Sequence, residues 1–202
     1  MKIRSRHLTR NHILAPGIQQ VMDIVPGRRL LPLFASLLLW FSGFAQQHYF
    51  QNFSVEEGLP QMQVNGICQD ALGRMWFTTL SGISCFDGRS FQNFSQKDGL
   101  ASNITTKILA DRSGHIWAGT TRGLSVFDGK QFKTYTGSGA KNQVNALVED
   151  HNGKIWAALN GKLHYMNAGK LEAYPDERFK KFPVQSLFCD AKGRLWAGGP
   201  KE

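Results

Sequence analysis

The chain has 202 residues, of which 42% are apolar or aromatic and 19% charged, a balance that can bury a core and excludes disorder throughout. Its net charge of +9 is not concentrated: residues 1–45 hold six basic side chains against Asp23, a net of +5, and the remaining +4 is spread singly over residues 46–202. That describes a solvated mixed-charge surface, so no nucleic-acid partner is expected.

In chain order, Arg28 and Arg29 precede LLPLFASLLLWFSGFA, an apolar run of about 15 residues that fits a secretory leader and is short for a spanning helix of about 20. Gly43 and Ala45 supply the small residues for cleavage after Ala45, and Met22 is the more natural start. Residues 1–45 are therefore read as an N-terminal extension with a signal peptide, and 46–202 as the exported part. An uncleaved signal anchor is the alternative.

The next segment, HYFQNFS from His48 to Ser54, copies SFQNFS from Ser90 to Ser95. It predicts an outer strand with no inner strands before it, able in a closed ring to complete the last sheet and leave no open edge.

From there a skeleton recurs: DALGRMW, DRSGHIW, DHNGKIW and DAKGRLW begin at Asp70, Asp111, Asp150 and Asp190, at separations of 41, 39 and 40 residues. A period near 40 marks one supersecondary unit repeated. Before each Asp, apolar residues such as Val64, Ile67 and Cys68, or Val144, Leu147 and Val148, point to both faces of a short segment, as in a strand buried on both sides. At the turn, Asp accepts backbone N–H groups, and Gly73, Gly114, Gly153 and Gly193 tolerate positive φ. A second strand follows, and its Trp76, Trp117, Trp156 or Trp196 would bury on the order of 200 Å² between adjacent sheets. In GISCFDGRSF and GLSVFDGKQF, Asp87-Gly88 and Asp128-Gly129 predict hairpins with type I′ turns. The third unit, GKLHYMNAGK, replaces Asp-Gly with Asn167-Ala168-Gly169, one residue longer. Each unit closes on an aromatic strand.

Four antiparallel strands per unit describe an all-β fold, a β-propeller of stacked blades. The count gives three complete blades and half of a fourth, about 3.5 in all. The chain then reads as the N-terminal fragment of a longer product, its missing C-terminal blades supplied elsewhere or by a homodimer of half-rings.

Three cysteines, Cys68, Cys85 and Cys189, show no metal spacing; they read as small buried hydrophobes, and Cys68 and Cys189 could pair only within about 7 Å. No catalytic constellation, metal site or cofactor motif is present in the sequence. His115 and His151 fall at the D-x-x-G turns, where exposed side chains are expected. Propellers bind ligands at the loop face, and the polar loop residues placed there are Gln61, Asn103, Arg122, Asn142 and Asn160.

GLPQMQVNGICQDALGRMWFTTLSGISCFDG, together with DGLASNITTKILADRSGHIWAGTTRGLSVFDGKQFKTY, resembles the two-component regulator propeller repeat of large periplasmic bacterial sensors. The resemblance covers about residues 48–199 and departs from the pattern at Thr105, where an aliphatic residue is usual. It implies a seven-bladed ring, a membrane-linked output module such as a histidine kinase beyond this chain, and a small-molecule or carbohydrate ligand. The function it implies is ligand sensing without catalysis. A propeller enzyme of dehydrogenase or lyase type and a protein-docking scaffold remain the alternatives.

Overall fold

In the computed structural model, residues 50–137, 142–179 and 182–200 are described. The expected extension, leader and cleavage site, and His48 and Tyr49 of the copied segment, lie outside them.

The first sheet comprises β1 (Val64–Gln69), β2 (Met75–Thr79), β3 (Gly82–Phe86) and β4 (Phe91–Phe94). β5 (Thr105–Ala110), β6 (Ile116–Thr120), β7 (Leu124–Phe127) and β8 (Phe132–Tyr135) form the second. The third contains β9 (Val144–Glu149), β10 (Ile155–Leu159), β11 (Lys162–Asn167) and β12 (Lys170–Ala173), and the fourth β13 (Ser186–Cys189) and β14 (Leu195–Gly198). Every sheet is an antiparallel meander in sequence order. The innermost strands β1, β5, β9 and β13 lie beside one another in series, which is the propeller arrangement.

The repeated sequence forms equivalent turns. Gly73, Gly114, Gly153 and Gly193 have φ of 81°, 86°, 77° and 78°, left-handed values that a side chain would strain. Each donates its N–H to the carbonyl of the Asp three residues before it, at 2.9–3.1 Å. The hairpins differ from expectation. Gly88 has φ 96° while Asp87 is outside the left-handed region, and a type I′ turn needs both central residues there. Asp87 instead caps the turn, its Oδ1 accepting from the N–H groups of Arg89 and Ser90, both at 2.8 Å. Positive φ at a Gly that leads the central pair is the type II′ pattern.

Three core clusters sit between sheets. Trp76, Ile83 and Cys85 of the first sheet pack with Ile116, Phe127 and Phe132 of the second. Trp117, Leu124 and Val126 pack with Val144, Ile155 and Leu159 of the third. Ala158 and Leu163 meet Val184 before the fourth. Gly119 shows how close the backbones come: an added Cβ would lie 2.7 Å from Val144 Cγ1.

Two expectations need correction. Burial on both faces fails for β1, where Ile67 is 57% exposed, and for the fourth sheet, where Phe188 and Trp196 are 64% and 54% exposed. A face is dry only where another sheet lies against it, and none among the described residues covers these. The second concerns residues 50–54, which form no strand. Phe53 nevertheless stands to the first sheet as Phe94 does to the second: it packs on Phe86 and Phe91 at 4.8 and 5.4 Å, and Phe94 on Phe127 and Phe132 at 5.4 Å each. The copied sequence thus reproduces the packing without the strand pairing, since among the described residues no neighbouring strand lies there to pair with.

Candidate functional site

Each sheet has two ends. The D-x-x-G turns and the β-hairpins lie at one; at the other, the segments entering each sheet meet the loops between its second and third strands.

At the loop end, most of the polar candidates hold the loops themselves. Gln61 Oε1 accepts from the Leu80 N–H at 3.0 Å, and Asn103 Oδ1 from the Gln96 N–H at 2.7 Å. Asn160 has φ 49°; its Oδ1 accepts from the Gln143 N–H at 3.0 Å while its own N–H donates to the Gln143 carbonyl at 2.9 Å. Asn142 is buried. The Arg122 side chain is exposed on its loop, whose backbone is fixed by the Arg122 N–H donating to Thr120 Oγ1 at 3.0 Å. The Gln61 and Asn160 contacts tie the entering segment to the second loop of the first and third blades, and Asn103 fixes the entering segment of the second on itself.

Thr105, the departure from the repeat, turns out to bind two blades. It is wholly buried; its Oγ1 donates toward the carbonyls of Thr79 at 2.8 Å and Gly82 at 3.0 Å, and accepts from the Thr79 N–H at 3.0 Å. Asn65 and Thr106 make the next links, donating to the Thr105 and Val144 carbonyls at 3.0 Å each.

At the turn end, the Asp of every repeat holds its Trp. The indole N–H groups of Trp76, Trp117, Trp156 and Trp196 donate to Oδ2 of Asp70, Asp111, Asp150 and Asp190 at 2.7–2.9 Å. Burial alone would raise the pKa of Asp70 and Asp150; the indole donors, with Arg74 in one case and the Lys154 backbone in the other, outweigh it and hold both below the usual carboxylate range. At Asp190 the indole of Trp196 leads, with the Arg194 backbone next, and the pKa falls to about 2.

The turns also link laterally. Arg112 Nη1 donates to the His151 carbonyl at 2.9 Å, and His151 Nε2 lies 2.8 Å from the Asp190 carbonyl. His115 Nδ1 is 3.2 Å from Asp111 Oδ2. Both histidines, expected as exposed turn residues, therefore take structural contacts there. His164 is buried in β11, and burial lowers its pKa. Among the described residues no group of His, Cys, Asp and Glu is placed to hold a metal ion. The cysteines are free; Cys85 is buried as expected, while Cys68 and Cys189 are half-buried on different sheets. Burial, then the Asp70 charge, pushes the Cys68 thiol up to about 11.

One feature of this end is absent from the sequence reading. Between the second and third sheets lies a cleft of about 390 Å³ lined by Trp117, Tyr135, Lys133, Asp128 and Met166 among others. The third hairpin, expected to be one residue longer, is instead the same length, Met166 pairing with Leu171 as Phe86 does with Phe91, and Ala168 and Gly169 at φ 45° and 75° give it the type I′ pattern.

Residues 58–81 match the family described as "Two component regulator propeller". The fold is shared with two extracellular domains of hybrid two component systems from B. thetaiotaomicron. One is 24% identical with a TM-score of 0.65, over 77% of this chain and 23% of that one. The other is 23% identical with a TM-score of 0.63, over 74% and 21%. Virginiamycin B lyase from Staphylococcus aureus shares the fold at 16% identity and a TM-score of 0.56, over 67% of this chain and 48% of the enzyme. No curated protein matches. The chain spans about a quarter of the length of the extracellular domains it resembles. Its all-β array of propeller blades thus includes, at residues 58–81, one segment that matches the two component regulator propeller description.

Proposed function

We propose that the chain is the extracytoplasmic, ligand-sensing propeller portion of a bacterial hybrid two component protein and does no chemistry itself. The observation that carries this is the repeat match at residues 58–81 within a fold shared with extracellular domains of that class. The loop end is the sensing surface. Its backbone is ordered by Gln61, Asn103 and Asn160, so a ligand meets a prearranged polar surface, on which Arg122 is an exposed charged group. A small polar ligand, a carbohydrate fragment by family resemblance, would bias the output module only through different affinity for its two states. Missing blades and that module are the partners this reading requires.

Two measurements test it. A reporter active only outside the cytoplasm, joined after Glu202, is expected to be active; an inactive reporter on a stable fusion contradicts the location. Calorimetric titration of the full chain against oligosaccharide pools is expected to show binding that Arg122→Ala weakens with an unchanged melting temperature. Equal binding by that variant removes the loop end as the sensing surface.

A further inference from the structure

We propose that the cleft between the second and third sheets, at the turn end and away from the sensing loops, is a second binding site, shaped for one aromatic ring carrying an ammonium and a carboxylate: a free aromatic amino acid.

The repeat supplies its own comparison. At the first interface Phe127 fills the corresponding space, with ring centroids 5.6 Å from Trp76 and 5.4 Å from Phe94, and Phe132 backs it at 4.9 Å. Strand register carries these positions onto the third sheet: Phe127 pairs with Ile116 and Phe132, and Met166 and Leu171 are the corresponding pair beside Ile155. The receiving wall is retained, because Trp117 and Tyr135 stack at 6.3 Å and 25° as Trp76 and Phe94 do at 5.8 Å and 16°. An unbranched thioether and an isobutyl group thus stand where two phenyl rings stood, beside an unchanged aromatic wall. Close packing makes such a loss of volume an opening.

The rim supplies the head group's partners. Lys133, which occupies the position of Gln92, holds its ammonium 5.2 Å from the Tyr135 ring and forms no ion pair among the described residues. Asp128 accepts two backbone N–H groups through Oδ1, at 2.8 and 2.9 Å, and its Oδ2 takes no hydrogen bond among the described residues. The Asp111 carboxylate is occupied by Trp117 and His115. A carboxylate beside Lys133 and an ammonium beside Asp128 Oδ2 would make charge-assisted bonds to groups that otherwise face water.

The test titrates the full chain with L-phenylalanine and follows Trp fluorescence, excited where phenylalanine does not absorb, because Trp117 forms the wall. A saturable change is expected. Phenethylamine and hydrocinnamate, each lacking one charge, should bind about tenfold more weakly, as should phenylalanine to Lys133→Met or Asp128→Asn, the latter keeping the turn's acceptor. L-leucine should not bind. Met166→Phe and the double variant with Leu171→Phe should abolish binding and raise the melting temperature by refilling the gap; either one, shown folded by circular dichroism, suffices. No saturable response, leucine binding equal to phenylalanine, or full binding by a folded Met166→Phe protein would each overturn the site. Unchanged affinity in both rim variants would overturn the amino-acid assignment.

Discussion

The indole N–H of Trp76 donates to Asp70 Oδ2 at 2.8 Å, across six residues and one β-turn. The same carboxylate accepts from the Arg74 N–H through Oδ1 and from the Arg74 guanidinium through Oδ2. One side chain thereby fixes the turn, the start of the second strand and the orientation of a wholly buried ring. Removing it by Asp70→Ala leaves the buried indole donor unpaired, which costs about 1–3 kcal/mol for that group alone. Chemical denaturation should show a loss of at least this size, with Trp76→Phe recovering part of it in the double variant, since phenylalanine has no donor to strand.

Acid should loosen the turns of Asp70, Asp150 and Asp190 together. The Asp190 pKa is lowered to about 2, well below the usual carboxylate range, and those of Asp70 and Asp150 are also lowered. A carboxylate with a depressed folded pKa contributes stability that is complete above its unfolded value and is lost as pH falls through the folded one. Melting temperature should therefore be flat with respect to these groups above about pH 5 and decline between about pH 4 and pH 2. A steep decline already complete at pH 5 would assign acid sensitivity to other groups.

Thr105→Val tests the link between the first two blades. The substitution preserves shape but removes the hydroxyl that partners the Thr79 N–H and carbonyl, while the Gly82 carbonyl still accepts from Thr79 Oγ1. The expected loss is about 1–3 kcal/mol. A valine variant as stable as the parent would mean that these groups find water or shift to one another.

Gly119→Ala probes the closest approach of the second and third blades. The new methyl group would lie 2.7 Å and 2.9 Å from Val144 Cγ1 and Cβ, so overpacking should cost about 1–3 kcal/mol. Val144→Ala in the same chain should restore part of that loss, which a double-mutant cycle measures directly.

The period, the turns and the blade architecture were legible in the sequence because they depend on local chemistry. Asp and Gly three residues apart close the same turn in all four repeats, and an antiparallel meander joins neighbours in sequence order. Even Phe53 was legible as a copy of Phe94, although only the structure showed that it packs without pairing. What needed the tertiary structure was everything set by one blade's position against another. Thr105 read as a weak match to its strand and is the buried hydroxyl between two blades. Gln61, Asn103 and Asn160 read as groups free for a ligand, but backbone N–H groups claim their side chains, from within the same loop for Asn103 and from another loop for Gln61 and Asn160. Met166 carried no signal in the sequence, whereas across from Trp117 and Tyr135 it lines a cleft whose counterpart at the first interface is filled by Phe127. Local hydrogen bonding and side-chain alternation act within a few residues and are written there; burial, packing volume and the choice of polar partner depend on what the fold brings across from some 40 residues away, near the repeat's own period.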